Sequence, residues 1–131
     1  MEKISIKTNK RIEAVDITDE VQKKIEESNI DNGICFLYVP HTTAAIVINE
    51  SYDESVSADI LEFLSKLVPK NGNYKHAEGN SDAHIKSALI GNSLFVAVEK
   101  GKLCLGRWQG ILFLEFDGPR SREVWIRVVK V

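Results

Sequence analysis

"ILFLEFDGPRSREVWIRVVKV", residues 111–131, is the stretch whose reading decides the fold. Two runs of branched and aromatic residues flank Gly118-Pro119, a pair that interrupts regular structure, so the stretch predicts a strand, a turn and a second strand. The first run is almost continuously apolar, the pattern of a strand covered on both faces. Together the two runs carry more apolar surface than one face of a small sheet needs, which predicts burial against another copy of the chain. If Gly118-Pro119 forms a two-residue loop, Glu115 faces Arg122; if the turn slides by one residue, Asp117 does. An acid meets Arg122 in either register.

Working outward, "SLFVAVE" (93–99) and a tight Lys100-Gly101 turn add strands to the same half of the chain. "ICFLYV" (34–39) and "AAIVI" (44–48) are two more short apolar runs that read as strands covered on both faces, with Pro40-His41-Thr42-Thr43 between them. Residues 3 to 17 alternate, with Ile4 and Ile6 and then Ile12 and Ala14 separated by polar side chains, which predicts two strands turning near Asn9-Lys10. Three segments carry helical spacing. Thr18 is placed to cap the first, with Val21 and Ile25 four apart. Ser51 and Glu54 have capping-box spacing before Val56, Ile60, Phe63, Leu64 and Leu67, and Pro69 ends that helix. The third is shorter, capped by Asn80 or Ser81, with Ile85 and Leu89 on its apolar face and Gly91 at its end. Segregated strands and about three helices predict an α+β fold with antiparallel pairing, either two packed sheet layers or one sheet carrying helices.

The 131 residues suit a single domain, 1–131, with one core. With 44% hydrophobic and 27% charged residues the composition is globular. The 17 basic and 19 acidic residues give a net charge of -2, which disfavours broad binding to nucleic acid or an anionic membrane. "MEKISIKTNK" lacks the apolar segment of a signal peptide and no run reaches membrane-spanning length, so a cytoplasmic location is expected. Cys35 and Cys104 sit in apolar runs without metal-knuckle or disulfide spacing and read as buried free thiols.

The chemistry concentrates in "HAEGNSDAH", His76–His84, which holds two of the three histidines. All three, His41, His76 and His84, fall in turns or caps beside Thr, Glu, Asn and Asp. His84 lies at a helix start, where the dipole disfavours its protonated form and so favours a ligating imidazole. A cluster of the three would leave an open position on a metal, of zinc type by its nitrogen ligands. Glu78 and Asp82 are candidate bases or orienters of such a site. Backbone donors at Asn80 and Ser81 suit a phosphate oxygen. The second constellation is Glu115, Asp117, Arg120 and Arg122, a guanidinium clamp for phosphate or carboxylate, or an exposed ion pair. Trp108-Gln109 offers an aromatic face and an amide for a flat ligand. No phosphate-loop glycine pattern occurs, and His76-Ala77-Glu78 is not followed by the Pro-Cys-x-x-Cys of a zinc deaminase.

Taken together, "HTTAAIVINE", "HAEGNSDAHIKSALIG", "LGRWQGI" and "EFDGPRSREV" resemble the YjbQ-like family, some members of which are named secondary thiamine-phosphate synthases. The resemblance implies a two-layer antiparallel β-sandwich with about three helices, assembled as a homotrimer. It implies an enzyme joining a pyrimidine diphosphate to a thiazole phosphate with release of diphosphate, and hence a small phosphorylated heteroaromatic substrate. Matched by position, His41, His76 and His84 would hold a divalent metal, zinc by the ligand set or magnesium by the diphosphate chemistry. Glu78, Asp82 and Glu115 would be catalytic, and Asn80, Trp108, Gln109, Arg120 and Arg122 would bind substrate. Two other functional classes are weighed beside it: a metal-assisted hydrolase of a small phosphate-type substrate, and a non-catalytic oligomeric binding protein.

Overall fold

The computed structural model describes residues 1–131 and divides eight strands between two antiparallel sheets, with three helices. In chain order the elements are β1 (Glu2–Lys7), β2 (Glu13–Asp16), α1 (Thr18–Ser28), β3 (Gly33–Tyr38), β4 (Ala44–Glu50), α2 (Glu54–Leu67), α3 (Ser81–Ile90), β5 (Ser93–Glu99), β6 (Lys102–Leu103), β7 (Gln109–Glu115) and β8 (Ser121–Lys130). One sheet has the order β1-β8-β3-β5-β6 and the other β2-β7-β4. The predicted α+β class with three helices and layered antiparallel sheets is the observed one.

The two sheets pack on one core. Ile4, Ile6, Cys35, Leu37, Val96, Val98, Val124 and Ile126 from the five-stranded sheet meet Ile46, Ile111 and Phe113 from the three-stranded one, with Val21 and Ile25 of α1. Each of the Val, Leu, Ile and Phe side chains among these, when fully buried, contributes roughly 1.5–3 kcal/mol. A smaller cluster on the other face of the three-stranded sheet joins Leu112, Leu114 and Phe116 to Leu64 of α2 and Ala83 of α3. β7 is therefore covered on both faces, as its apolar run predicts.

The expected hairpin across Gly118-Pro119 does not form. β7 is the central strand of one sheet and β8 pairs β1 and β3 in the other. β7 needs the helix layer on one face and β8's sheet on the other, so the connection turns a corner between layers. The link at Asn9-Lys10 does the same, since β1 pairs β8 and β2 pairs β7. β3 and β4 also lie in different sheets, which leaves Pro40–Thr43 as a bridge at one end of the sandwich. β3 is covered on one face only, because Phe36 and Tyr38 look outward from the five-stranded sheet.

Local details depart from the expected caps. Asp16 Oδ1 accepts from the amide and hydroxyl of Thr18 at 2.9 and 2.6 Å, so Thr18 opens α1 without capping it. Asp53, not Ser51, caps α2 by accepting from the Ser55 amide. The predicted apolar faces are partly turned out: Phe63 and Leu67 of α2 and Ile85 and Leu89 of α3 are exposed. α3 instead buries Ser81, Asp82, Ala83, Lys86 and Ser87 against the sheet. Cys35 is buried, and burial pushes its thiol up to about 12, whereas Cys104 is exposed, contrary to expectation.

Candidate functional site

The end of the sandwich where β4 begins and β7 ends is closed by charge. Glu115, fully buried in the three-stranded sheet, accepts from Nε and Nη2 of Arg122, buried at the start of β8 in the other sheet. The pair is a cross-sheet tie and not the exposed cross-strand pair considered above. Arg122 Nη2 also donates to Thr43 Oγ1 at 2.8 Å, and Glu115 accepts from Thr8 Oγ1 and the Asp117 amide, each at 2.9 Å. Burial alone would raise the Glu115 carboxyl, but these donors outweigh it and hold its pKa below the ordinary value.

Above this tie lies a cavity of about 350 Å³ whose ten lining residues include no hydrophobic one. His41, Thr43, Glu78, Asn80, His84, Asp117, Arg120 and Arg122 all reach it. The bridge between β3 and β4 brings His41, the loop before α3 brings Glu78 and Asn80, and the corner after β7 brings Asp117 and Arg120.

His41 is held rigidly. Its Nε2 accepts from the Glu123 amide at 2.9 Å. Burial, followed by the nearby Arg122 guanidinium, pushes its pKa below the ordinary histidine value. The ring is therefore the neutral form with its proton on Nδ1, a fixed donor with no nitrogen lone pair left over. Asn80 stands at the capping position of α3 but makes no capping bond. Its amide nitrogen donates to Asp117 Oδ2 at 2.9 Å, and its Oδ1 is buried without a partner. Asp117 also accepts from Arg120 Nη2 at 3.0 Å; Asn80 and Arg120 together overcome burial and lower its pKa. The side-chain bonds of both arginines run through Nε and Nη2, which leaves Nη1 of each without a partner in the chain.

The other expected site residues fall elsewhere. His76 meets His84 edge to face, ring centroids 5.4 Å apart, and lines a separate cavity with Tyr74 and Ile85. Its Nε2 is 3.6 Å from the exposed Glu78 carboxylate. Asp82 does not reach the cavity: fully buried, it accepts from Arg11 and from Lys86 Nζ at 3.1 Å. Trp108 and Gln109 sit at the opposite end of β7, whose seven residues span about 20 Å. There Trp108 packs edge-on to Tyr52 beneath Arg107, and Gln109 accepts from the Gly106 amide. Thr43, Thr8, Arg11 and Lys86 were not anticipated. Of these only Lys86 had a readable signal, its spacing of four from Asp82 on a helix.

No group of three His, Cys, Asp or Glu side chains is placed to hold a metal ion together. His41 cannot join one, because its single lone pair is spent on the Glu123 amide. The residues therefore do not fit the three-imidazole centre expected from the sequence.

An α+β chain of two layered antiparallel sheets, with a polar cavity at the end that a buried ion pair closes, defines the class. The chain belongs to the UPF0047 protein YjbQ-like family, whose model matches residues 2–131. A UPF0047 protein of Methanocaldococcus jannaschii is 57% identical over 97% of this chain and 92% of its own length. The UPF0047 protein YugU of Bacillus subtilis is 46% identical over 96% of each. A crystal structure of the family from Clostridium acetobutylicum, 49% identical, superposes with a TM-score of 0.96 over 98% of this chain and 100% of that one. One from Sulfolobus solfataricus, 36% identical over 99% and 96%, has a TM-score of 0.95 and is described as a protein of unknown function.

These findings overturn the functional expectation. The family and the relatives compared carry designations that name no synthase, and the metal cluster on which both the synthase and the hydrolase readings stood is not formed. The binding-protein alternative draws no support from the designation either. Charge points the same way: two arginines at the cavity face Glu78 and Asp117, with Glu115 behind, which leaves no positive surplus for a departing diphosphate. No helix is long and apolar enough to cross a membrane.

Proposed function

We propose that the polar cavity is an acid–base site for a small molecule presenting one carbonyl, carboxylate or phosphoryl oxygen. The observation that carries this reading is Asn80 Oδ1, an acceptor buried without a partner in the wall of a cavity whose lining, Pro40 apart, is polar. His41 supplies a fixed Nδ1–H to the substrate oxygen, and the free Nη1 groups of Arg120 and Arg122 add donors. Asn80 Oδ1 accepts from a donor on the same molecule. His84, whose ring engages only the edge of His76, is the group able to take and return a proton. Near-balanced charge suits one developing negative charge, stabilised by dipoles that need no rearrangement.

Acetate and inorganic phosphate, titrated separately and followed by NMR, test this. Saturable shifts are expected at the His41 and His84 rings and the Asn80 amide, weakened about tenfold or more in Arg120→Ala. The preferred probe identifies carboxylate or phosphoryl chemistry. Shifts from neither probe, or shifts that require added zinc, overturn the reading.

The chain also self-associates in this reading, as the trimer that the family resemblance implies. Support comes from the outer face of the five-stranded sheet, which no helix covers. Phe36 and Phe95 pair across strands with ring centroids 5.1 Å apart, and Tyr38 and Trp125 with 5.8 Å. Phe95 is 68% exposed, and Ile34 and Val129 extend the patch.

A further inference from the structure

His41, Thr42 and His84 border a second cavity, of about 430 Å³, completed by Ala44, Ser87, Ala88, Gly91 and Asn92. Its chemistry differs from that of its neighbour: no carboxylate, guanidinium or ammonium lines it. Its walls are fixed by main-chain bonds, from the Val39 amide to Asn92 O at 2.7 Å, from Ile46 to Gly91 O at 3.2 Å and from Gly91 to Ser87 O at 2.9 Å. Gly91 turns out of α3 at φ +106°, a backbone state closed to other residues, and a side chain there would meet nothing within 4 Å.

Ser87 is the informative residue. A helical serine ordinarily turns its hydroxyl onto the carbonyl four residues earlier or out to water. Ser87 does neither: the residue is 8% exposed and its Oγ, buried, bonds nothing. An unpartnered hydroxyl kept in the wall of a neutral, preformed cavity is a group waiting for a ligand.

We infer that this cavity is a specificity pocket for an uncharged amide- or hydroxyl-bearing part of the substrate, hydrogen-bonded to Ser87 Oγ. The inference rests on the acid–base reading of the adjoining cavity, since the two share His41, Thr42 and His84 and one molecule would lie across both. The substrate is then bifunctional, with a single acidic or carbonyl oxygen at one end and a neutral hydrogen-bonding group at the other. Small side chains at Ala44, Ala88 and Gly91 set how large that group can be.

Three probes test this by NMR: acetate, acetamide and N-acetylglycine, which joins the two functions. Acetamide is expected to shift Ser87, Ala88 and Asn92, and N-acetylglycine to shift these together with Asn80. Ser87→Ala should weaken N-acetylglycine about three- to tenfold, the loss of one neutral hydrogen bond, and leave acetate unchanged. Ala88→Phe, at an exposed helix position, fills the pocket without disturbing the core and should abolish the acetamide shifts while sparing those from acetate. Acetamide shifts that are absent, or that persist in folded Ala88→Phe, overturn the inference. Failure of acetate with acetamide still at Ser87 overturns the acid–base reading alone and supports the pocket.

Discussion

Glu115 and Arg122 belong to different sheets and form a buried ion pair that ties the two layers at the end carrying the polar cavity. Seven residues apart in sequence, they meet because the chain turns a corner between layers at Gly118-Pro119. The tie sets the position of Thr43, and through it the bridge that carries His41.

Breaking this pair from one side should be costly. In Glu115→Gln the guanidinium stays buried without a counter-charge, and a loss of about 3–5 kcal/mol is expected. Replacing both partners, as Glu115→Leu with Arg122→Met, removes the stranded charge and should recover more than half of that loss. Urea unfolding of the three variants decides. A single-variant loss under about 1 kcal/mol would mean that the pair is not a tie at all.

Stability should fall with acid in two stages. His41 has a folded pKa below its unfolded value of 6.5, so the unfolded chain takes up the proton first as pH falls. Its contribution is present above that value and is lost as pH drops through the folded pKa. Glu115, Asp82 and Asp117 are likewise depressed, each by donors that outweigh the opposing effect of burial. Their contribution is present above the ordinary carboxylate range and disappears as pH falls through their folded values. Unfolding midpoints measured from neutral pH downward should show both declines. The deficit of Glu115→Gln relative to the unchanged protein should narrow at the acid end, and a constant deficit would refute the assignment to Glu115.

The strand runs, the three helices and the acid facing Arg122 were legible because each rests on local periodicity or short-range spacing. The hairpin was not, because a corner between layers and a turn within a sheet share the same Gly-Pro signal. α3 was misread for a related reason. Ile85 and Leu89 keep apolar spacing, yet Asp82 and Lys86 neutralise each other on the neighbouring stripe and Arg11 arrives from 71 residues away, a contact no local pattern encodes. His41 and His84 do border one cavity, but His76 packs against His84 outside it, short of the three-imidazole cluster expected from their company. What spacing could not reveal is that the Glu123 amide uses the His41 lone pair.

Self-association through the outer sheet face predicts a specific weakness. Phe95→Glu places a carboxylate in the centre of the aromatic patch and, being on an exposed face, should leave the fold intact. Light scattering should give a trimer mass for the unchanged protein and a lower mass for the variant, with matching circular dichroism. A single-chain mass for the unchanged protein at micromolar concentration would remove the proposal.

Asp82 separates a structural from a chemical role. It is fully buried, takes two bonds from Nη2 and one from Nη1 of Arg11, and takes the ammonium of Lys86, itself 1% exposed. In Asp82→Asn the two cations keep their positions but lose the only carboxylate between them, so like charges face each other and the buried Lys86 ammonium is left uncompensated. A loss of about 3–5 kcal/mol is expected. Lys86→Met removes one cation, keeps the apolar stem and leaves Asp82 with Arg11, which is partly exposed; the loss should be smaller. Since Asp82 does not line the cavity, both variants, studied at a temperature where they remain folded, should bind acetate or phosphate as the unchanged protein does. An Asp82→Asn variant that is stable but no longer binds either probe would return this carboxylate to the reacting group.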